Sequence, residues 1–262
     1  MITDSHAHVF WDSYDGDRAD VLERARAAGV GRMVVVGTDL ESSRRALELC
    51  AGEEGLYPTA GIHPHDARDS GAAARTAIEE LCRRPECVAV GETGLDYFKE
   101  YSPREDQREN FRWHLELARR LDKPVVVHCR DAHADTARML TEVAGDAALA
   151  EAAPLRGVMH CYTMGPAELP PYLELGFYIS FSGVVTYPRN DENRAAAAAV
   201  PAERLLVETD CPFLAPQGHR GRRNEPALVA LVLERVAAVR GEDAGHLAAV
   251  TSANAERLFR LG

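Results

Sequence analysis

The sequence predicts an α/β fold, because short apolar segments rich in β-branched residues alternate with longer helical segments along the whole chain. Some of the short segments are apolar at consecutive positions, as in Met33–Val36 and Val125–Val127. Consecutive apolar residues are typical of parallel strands that are buried on both faces. Eight such units within 262 residues match the size of a (β/α)₈ barrel, also called a TIM barrel. We therefore expect a single barrel domain that spans residues 1–262.

The same patterns give the order of the elements. Segments with runs of apolar and β-branched residues are predicted as strands, and they are Met1–Val9, Arg32–Gly37, Leu56–Gly61, Val88–Glu92, Pro124–His128, Leu155–His160, Phe177–Ser180 and Leu205–Glu208. Segments that are amphipathic or rich in alanine are predicted as helices, and they are Asp17–Ala28, Leu40–Ala51, Ala72–Arg83, Pro103–Leu121, Ala132–Val143, Pro166–Leu175, Asp191–Ala199, Glu225–Arg240 and Ala244–Leu258. One helix separates each strand from the next, as parallel pairing requires.

An open, doubly wound sheet is the competing α/β architecture. That fold places a glycine-rich phosphate loop after its first strand. Here the first strand runs into His8-Val9-Phe10-Trp11-Asp12, and neither a G-x-G-x-x-G nor a Walker motif occurs in the chain. The missing motifs favour the barrel and count against a nucleotide-binding fold.

The composition places the chain among globular proteins. Hydrophobic residues make up 46% of the sequence and charged residues 27%, which excludes a disordered or fibrous protein. No apolar run approaches the length that spans a bilayer. The chain begins without the features of a secretory signal, and its six cysteines include no C-x-x-C pair. We therefore expect a cytoplasmic protein without membrane contact, and a monomer is the default expectation.

The net charge is −11, from 30 basic and 41 acidic residues. Contacts to phosphates require clustered lysine and arginine, so an acidic chain is a poor general binder of nucleic acids. Any anionic substrate must therefore be held by a local basic patch or by metal ions.

Residues that commonly bind metal ions fall at the ends of the predicted strands. His6 and His8 are two positions apart in the first strand, so their side chains point the same way. The other candidates are Glu92, His128, His160 and Asp210, each at or just after the end of a different strand. Barrel enzymes form their active sites at the carboxyl ends of the strands. The six side chains therefore predict a site of nitrogen and oxygen ligands for one or two divalent ions.

The donor set narrows the choice of ion. Four imidazoles suit Zn²⁺, Mn²⁺, Co²⁺ or Ni²⁺ better than Mg²⁺, which prefers oxygen ligands and water. The alternative is a mixed site whose second ion is exchangeable, and in that case the second ion could be Mg²⁺.

Six short motifs occur in a fixed order along the chain. They are His6-Ala7-His8, Gly61-Ile62-His63-Pro64-His65, Gly91–Asp96, His128–Ala132, His160-Cys161-Tyr162 and Glu208–Pro212. Together they resemble the motifs of the TatD-like metal-dependent deoxyribonucleases, which belong to the amidohydrolase-type metal-dependent hydrolases. Arg220–Pro226 resembles the late basic motif of that family, so the resemblance covers essentially the whole chain.

The resemblance implies how the ligands divide between two ions. One ion would be bound by His6, His8, Glu92 and Asp210. The second would be bound by His128 and His160, with Glu92 bridging the two ions.

The resemblance also implies the reaction, which is hydrolysis of DNA phosphodiester bonds by a metal-activated water. The expected substrate is single-stranded DNA or a frayed end, trimmed from the 3′ end as by a 3′–5′ exodeoxyribonuclease. Glu92 and Asp210 are the predicted catalytic carboxylates, with Asp210 as the proton acceptor. The alternative for Asp210 is a role as a metal ligand only.

Six further residues are candidates for contact with the substrate, namely His63, Asp96, Tyr97, Arg130, Arg220 and Arg223. The resemblance implies that His63 faces the substrate, and the alternative is that it hydrogen-bonds a metal ligand or caps a loop. Tyr97 could stack on a base or anchor a loop. Arg130 follows His128 by two positions and suits a phosphate. Arg220–Arg223 could grip a phosphate backbone, or form a solvated loop paired with Glu225.

A hydrolase of a small ester, lactone or amide on the same barrel site is the rival hypothesis. A basic loop that lines the metal cleft would favour a polyanion, whereas a closed apolar cleft would favour a small molecule. A non-catalytic binding module is a third hypothesis, which six intact ligand positions disfavour.

Overall fold

Eight parallel strands form one sheet, and their order around the sheet is their order in the chain. The computed structural model describes all residues, 1–262. The strands are β1 (Ile2–Ala7), β2 (Val30–Val36), β3 (Leu56–Ala60), β4 (Ala89–Asp96), β5 (Val125–Arg130), β6 (Gly157–Met159), β7 (Tyr178–Phe181) and β8 (Leu205–Val207). Backbone hydrogen bonds from Asp210 to His6 (2.9 Å) and from His8 to Cys211 (2.8 Å) join β1 to the segment after β8. The sheet therefore closes into the predicted (β/α)₈ barrel.

Each strand is followed by a helix, and a ninth helix ends the chain. The helices are α1 (Arg18–Ala27), α2 (Leu40–Ala51), α3 (Ala72–Arg83), α4 (Arg104–Leu121), α5 (His133–Ala144), α6 (Pro170–Glu174), α7 (Asp191–Ala199), α8 (Val229–Arg240) and α9 (Ala244–Phe259). The largest buried apolar cluster includes residues from both the helices and the strands. No helix combines the length and the apolar character that crossing a membrane would take.

The second apolar cluster closes one end of the barrel. It joins strand residues such as Val34, Val126 and Leu206 to Leu258 and Phe259 of α9. The α9 helix is tied to the starts of β1 and β8, because Ser252 donates to the carbonyl of Met1 and Asn254 donates to that of Leu205. The amino end of the barrel is therefore plugged, and the opposite end is left for the site.

Several element bounds differ from the prediction. The β4 strand extends four residues beyond Glu92, because Asp96 still pairs with Arg130 of β5. The α6 helix is only Pro170–Glu174, because residues 166–168 form a separate 3₁₀ turn. Likewise α8 begins at Val229 rather than Glu225, after a 3₁₀ turn that opens with Pro226. Proline favours such helix-start positions because it has no N–H to donate.

Candidate metal centre

The six predicted metal-binding side chains lie together at the carboxyl end of the barrel. His6, Glu92 and His128 are strand residues, His8 and His160 directly follow strands, and Asp210 lies three residues after the end of β8. All are buried except His128, which is partly exposed. A carboxyl-end cluster that is this well buried is expected for an active site of a barrel enzyme.

Glu92 lies at the middle of this cluster. Its Oε2 atom is 3.2 Å from Nε2 of His6 and 3.9 Å from Nε2 of His8. Its Oε1 atom is 3.1 Å from Nδ1 of His128 and 3.0 Å from Nε2 of His160. The two oxygens of one carboxylate thus face two different pairs of imidazoles, which is the arrangement of a bridging ligand.

Asp210 completes the first of these two groups. Its Oδ1 atom is 3.7 Å from Nε2 of His6 and 3.5 Å from Nε2 of His8. The Asp210 N–H donates to the carbonyl of His6, so the end of β1 holds this carboxylate in place. His6, His8, Glu92 and Asp210 therefore form one four-residue group, and Glu92, His128 and His160 form the other.

Hydrogen bonds behind the imidazoles decide which ring nitrogen faces inward. Nδ1 of His8 lies 2.6 Å from the carbonyl oxygen of Val36, which can only accept, so Nδ1 carries the proton. In the same way Nδ1 of His160 donates to Glu208 (3.2 Å). Nε2 of His128 donates to Asp96 (3.3 Å). In its neutral form, the form that binds a cation, each of these rings turns an unprotonated nitrogen toward the carboxylates of the centre.

This arrangement fits divalent metal ions. Imidazole lone pairs and ionised carboxylates converge on the same points, and all of them are acceptors. A cation satisfies such a set, and metal-binding histidines commonly donate their other N–H to a carboxylate or a backbone carbonyl, as His8, His128 and His160 do here. Mixed nitrogen and oxygen donors suit Zn²⁺, Mn²⁺, Co²⁺ or Ni²⁺.

The electrostatics keep the two carboxylates ionised. Burial opposes the charge on Glu92, but the imidazoles of His160, His63 and His6 hold its pKa well below the ordinary value. Burial likewise opposes the charge on Asp210, and the hydrogen bond from His8 with the nearby imidazoles lowers its pKa. Both side chains are therefore ready to bind a cation at neutral pH.

His63 is a hydrogen-bond donor at the edge of the centre. Its Nδ1 atom accepts from the N–H of His65 (3.1 Å), so the proton is on Nε2. That Nε2 atom is 3.4 Å from Oε1 of Glu92. Burial lowers the pKa of His63 to about 4, which keeps the ring neutral. With its proton on the inward nitrogen, His63 is suited to donate a hydrogen bond rather than to bind an ion.

Two buried polar residues of α4 hold the segment that carries His63. Asn110 donates its amide to the carbonyl of Ile62 (2.8 Å), and Nε2 of His114 accepts from the N–H of Ile62 (3.1 Å). The sequence analysis did not identify Asn110 or His114. In the sequence they are two polar residues four positions apart, which places them on one face of a helix. Periodicity alone does not distinguish such a buried polar pair from a solvent-exposed face.

Two acidic residues that the sequence analysis did not assign support the ligands from behind. Glu208 is fully buried and accepts from His160 and from the Cys161 N–H (2.6 Å). Asp4 is also fully buried and accepts from the N–H groups of His6 (3.2 Å) and Thr209 (3.0 Å). Burial raises the pKa of Asp4 to about 7. The sequence feature that could have identified them is their spacing, because Asp4 and Glu208 lie two positions before His6 and Asp210, respectively.

The placement of Asp96 argues against the predicted contact with substrate. Asp96 is 1% exposed, and its Oδ2 atom is occupied by His65 (2.8 Å) and His128. Its Oδ1 atom accepts from the N–H groups of Phe98 and Lys99. Asp96 therefore orients His128 and the loop after β4.

Tyr97 and Arg223 are also held away from the centre. The Tyr97 hydroxyl donates to Asp135 (2.6 Å), and Arg104 covers its ring at 4.3 Å, so Tyr97 anchors a loop. Arg223 forms a two-pronged ion pair with Asp17 (2.8 and 2.5 Å). Both side chains therefore already have partners, which favours the loop-anchor alternative for Tyr97, and phosphate binding by Arg223 stays a prediction that would require Asp17 to be displaced.

Arg130 and Arg220 remain available at the rim, and both are exposed. The Arg130 guanidinium lies 3.9 Å from the ring centre of Phe98. The Arg220 guanidinium lies 4.4 Å from the ring centre of Tyr187, beside a cavity of about 500 Å³ that Arg189 also lines. Neither arginine has a carboxylate partner within 4 Å, so both are free to meet an anion.

A (β/α)₈ barrel with four imidazoles and two carboxylates at its carboxyl end defines a metal-dependent hydrolase. The family model described as TatD related DNase matches residues 3–260. The chain is 39% identical over 262 residues to the uncharacterized metal-dependent hydrolase YabD of Bacillus subtilis, covering 100% of both chains. It is 40% identical over 250 residues to the 3′-5′ ssDNA/RNA exonuclease TatD of Escherichia fergusonii, covering 94% of both.

A solved structure agrees with these relatives. The crystal structure of YJJV, a TatD homologue from Escherichia coli K12, matches with a TM-score of 0.91 and 30% identity, over 100% of this chain and 98% of that one. The chain therefore belongs to the TatD related DNase family. It is an enzyme, a metal-dependent hydrolase that acts on ester bonds.

Proposed function

We propose that this enzyme hydrolyses phosphodiester bonds of single-stranded DNA, removing nucleotides from the 3′ end. The observation that carries the proposal is the position of Glu92, whose two oxygens face two separate pairs of imidazoles. A relative that is 40% identical is named as a 3′-5′ exonuclease of single-stranded DNA and RNA, which supports the same substrate class. RNA is therefore included in the test.

In this proposal the six side chains would hold two divalent ions, and Glu92 would contribute to both groups of ligands. When bound, such ions lower the pKa of water to about 7 and polarise a phosphoryl oxygen. Asp210 accepts the proton of the attacking water, since its carboxylate is ionised and lies beside His6 and His8. His63 donates its Nε2–H to a phosphoryl oxygen of the substrate. Arg130 and Arg220 bind flanking phosphates, which offsets the net charge of −11.

A small ester, lactone or amide is the alternative substrate of the same residues. That alternative calls for a closed, apolar cleft. The exposed guanidinium groups of Arg130 and Arg220 at the rim favour a polyanion instead.

The test is cleavage of a short labelled single-stranded DNA, and of the matching RNA, by metal-stripped protein to which Mg²⁺, Mn²⁺ or Zn²⁺ is returned. We expect metal-dependent shortening from the 3′ end. A variant with Glu92→Ala and His128→Ala should lose it, whereas Asp131→Asn, which changes an exposed carboxylate near the same rim, should keep it. No cleavage with any metal, in protein that binds two ions, would contradict the proposal and favour the small-molecule alternative.

The cytoplasm is the proposed compartment, because all six cysteines are free thiols. A monomer stays a prediction.

A further inference from the structure

Exposed aromatic side chains are concentrated around the metal centre. Four large hydrophobic side chains are exposed in the whole chain, namely Met1 (64%), Phe98 (55%), Tyr101 (53%) and Phe213 (43%). Phe98 and Tyr101 lie in the loop between β4 and α4, and Phe213 lies just after β8. Three of the four are thus at the carboxyl end of the barrel, and exposed apolar groups that cluster at a site indicate a binding surface.

Two cationic groups lie beside Phe98 and Tyr101, namely Lys99 in the same loop and Arg130 at the end of β5. The Lys99 ammonium is 5.7 Å from the ring centre of Phe98 and 5.8 Å from that of Tyr101. Arg130 covers one face of Phe98 at 3.9 Å. We refer to Phe98, Lys99, Tyr101 and Arg130 as the rim platform. On a chain of net charge −11, it joins two flat apolar faces with two positive charges.

The rim platform adjoins the metal centre directly. The Tyr101 ring packs against His65, with 4.7 Å between ring centres. His65 in turn contacts His63 at 4.3 Å and is hydrogen-bonded to Asp96, the partner of His128. Arg130 follows His128 by two residues along β5, a separation of about 7 Å at the usual rise of a strand. A nucleotide beside a phosphodiester bond at the centre can therefore reach the platform.

We propose that the rim platform is a stacking subsite for unpaired bases of a single-stranded nucleic acid. Base faces are covered in a duplex, whereas an unpaired base offers its face to an aromatic ring. Stacking on Phe98 and Tyr101 would hold the bases, and Lys99 and Arg130 would meet the adjoining phosphates. This inference rests on the proposed nuclease function and adds the residues that select single strands.

The structure also explains why these residues and not Tyr97 serve this role. The Tyr97 hydroxyl and ring are held by Asp135 and Arg104, so its face is covered. Arg130 covers one face of Phe98 and His65 packs against Tyr101, but neither side chain is hydrogen-bonded to a carboxylate, and more than half of each residue is exposed. The Asp96 carboxylate fixes the backbone at Phe98 and Lys99, which orders the loop before any substrate arrives.

The test compares two double variants of the metal-loaded enzyme. Phe98→Leu with Tyr101→Leu keeps apolar side chains but removes the flat faces. Phe98→Tyr with Tyr101→Phe keeps both rings and is the matched control. The substrates are a labelled oligothymidine, the same strand with an abasic sugar at each of the last positions in turn, and methyl p-nitrophenyl phosphate, a diester without a base.

We expect the leucine variant to raise the KM for oligothymidine by roughly five- to a hundredfold, the range expected for loss of one stacked base. The ring-swapped control should stay within about twofold of the wild type, and kcat on the small diester should not change. An abasic sugar at the stacked position should raise the KM of the wild type but add nothing in the leucine variant, since the same contact is already lost.

The outcomes separate the two proposals. An unchanged KM for oligothymidine in the leucine variant, with a wild type that cleaves it, would overturn the platform alone. A wild type that cleaves the small diester but no oligonucleotide would overturn the nuclease proposal, and the platform with it. If light scattering shows that the leucine variant changes the oligomeric state while the KM is unchanged, the platform is instead an interface between copies of this chain.

Discussion

The inward nitrogen of each histidine determines what the metal centre can bind. Val36, Glu208 and Asp96 each accept a hydrogen bond from one ring, and each leaves the other nitrogen of that ring facing Glu92 or Asp210. Nδ1 of His6 is buried without a partner, so the tautomer of that ring is not fixed from behind. Three of the four imidazoles are thus oriented as ligands by their own hydrogen bonds before an ion arrives.

Metal binding by these rings should release protons. Burial alone would lower the pKa of His160, but the carboxylates of Glu92 and Glu208 overcome it and raise the pKa well above its ordinary value. A cation must displace the proton that His160 otherwise keeps. We expect metal affinity to rise with pH above 6.5, with release of at least one proton per chain, measured by calorimetry in buffers of different ionisation enthalpy. Binding without proton release would contradict this prediction.

Replacing Glu208 tests the support behind His160. Glu208→Gln keeps an oxygen that accepts from His160 but removes the charge. Loss of such a partner typically lowers metal affinity by about 10- to 100-fold. We expect the metal affinity of Glu208→Gln to fall by a factor in this range, as measured by competition with a chelator. At saturating metal its kcat should be largely restored. Glu203→Gln, an exposed residue before β8, is the control and should match the wild type.

Asp210→Asn tests the proton acceptor. The amide can still coordinate weakly through its oxygen but cannot accept the proton, and general-base catalysis typically contributes about 10²- to 10⁴-fold. We expect kcat on single-stranded DNA to fall by about that factor in protein that still holds metal, as measured by elemental analysis of the same sample. Full activity with both ions bound would show that Asp210 is a ligand only.

At the scale of the elements, the α4 helix positions the substrate side of the site. Asn110 and His114 hold the backbone of Ile62, and Gln107 accepts from the N–H of Asp96 (2.8 Å) and donates to its carbonyl (3.1 Å). One helix therefore fixes the ends of both β3 and β4. The positions of His63 and Asp96 therefore depend on polar contacts in the interior of the protein.

His114 makes the stability of this contact depend on pH. Burial lowers the pKa of His114 from 6.5 to about 4, so below pH 6.5 the unfolded chain binds more protons than the folded one. Stability from this group is complete above pH 6.5 and is lost as the pH falls toward 4, by about 3 kcal/mol at most. His114→Gln keeps a hydrogen-bond donor and an acceptor but does not titrate. In this variant the free energy of unfolding, measured with denaturant, should fall less steeply between pH 6.5 and pH 4 than in the wild type. The same pH dependence in both proteins would contradict this prediction.

The elements also show what sequence alone could predict. Buried strands and their polar ends follow from residue type, so the six side chains that meet at the carboxyl end of the barrel could be located. Stacking on a base and anchoring a loop both stay open for Tyr97 in the sequence, because an aromatic residue near Glu92 has no visible partner there. Its actual partner, Asp135, is 38 residues away, and such distant pairing is not encoded in local pattern. The same holds for Arg223 with Asp17 and for the support from Asn110.

At the scale of the whole molecule, the barrel separates stability from function. The α9 helix and the inward strand residues close the amino end with apolar contacts, whereas the carboxyl end buries ionisable groups. Buried carboxylates and imidazoles without a cation are costly, so metal ions should stabilise the entire fold.

We expect thermal unfolding to depend on metal. An ion at 100 times its dissociation constant stabilises the folded state by about 2.7 kcal/mol per site, enough to raise the Tm by roughly 5 °C or more. Scanning calorimetry with and without a chelator measures this shift. The Glu92→Ala, His128→Ala variant should show a much smaller one, and an equal shift in both proteins would place the stabilising ion elsewhere.

The most direct test of the bridging role of Glu92 is anomalous diffraction from crystals of the Mn²⁺-loaded protein. We expect two peaks, one among His6, His8 and Asp210 and one between His128 and His160, with one oxygen of Glu92 bound to each. A single peak, or two peaks of which only one contacts Glu92, would contradict the account.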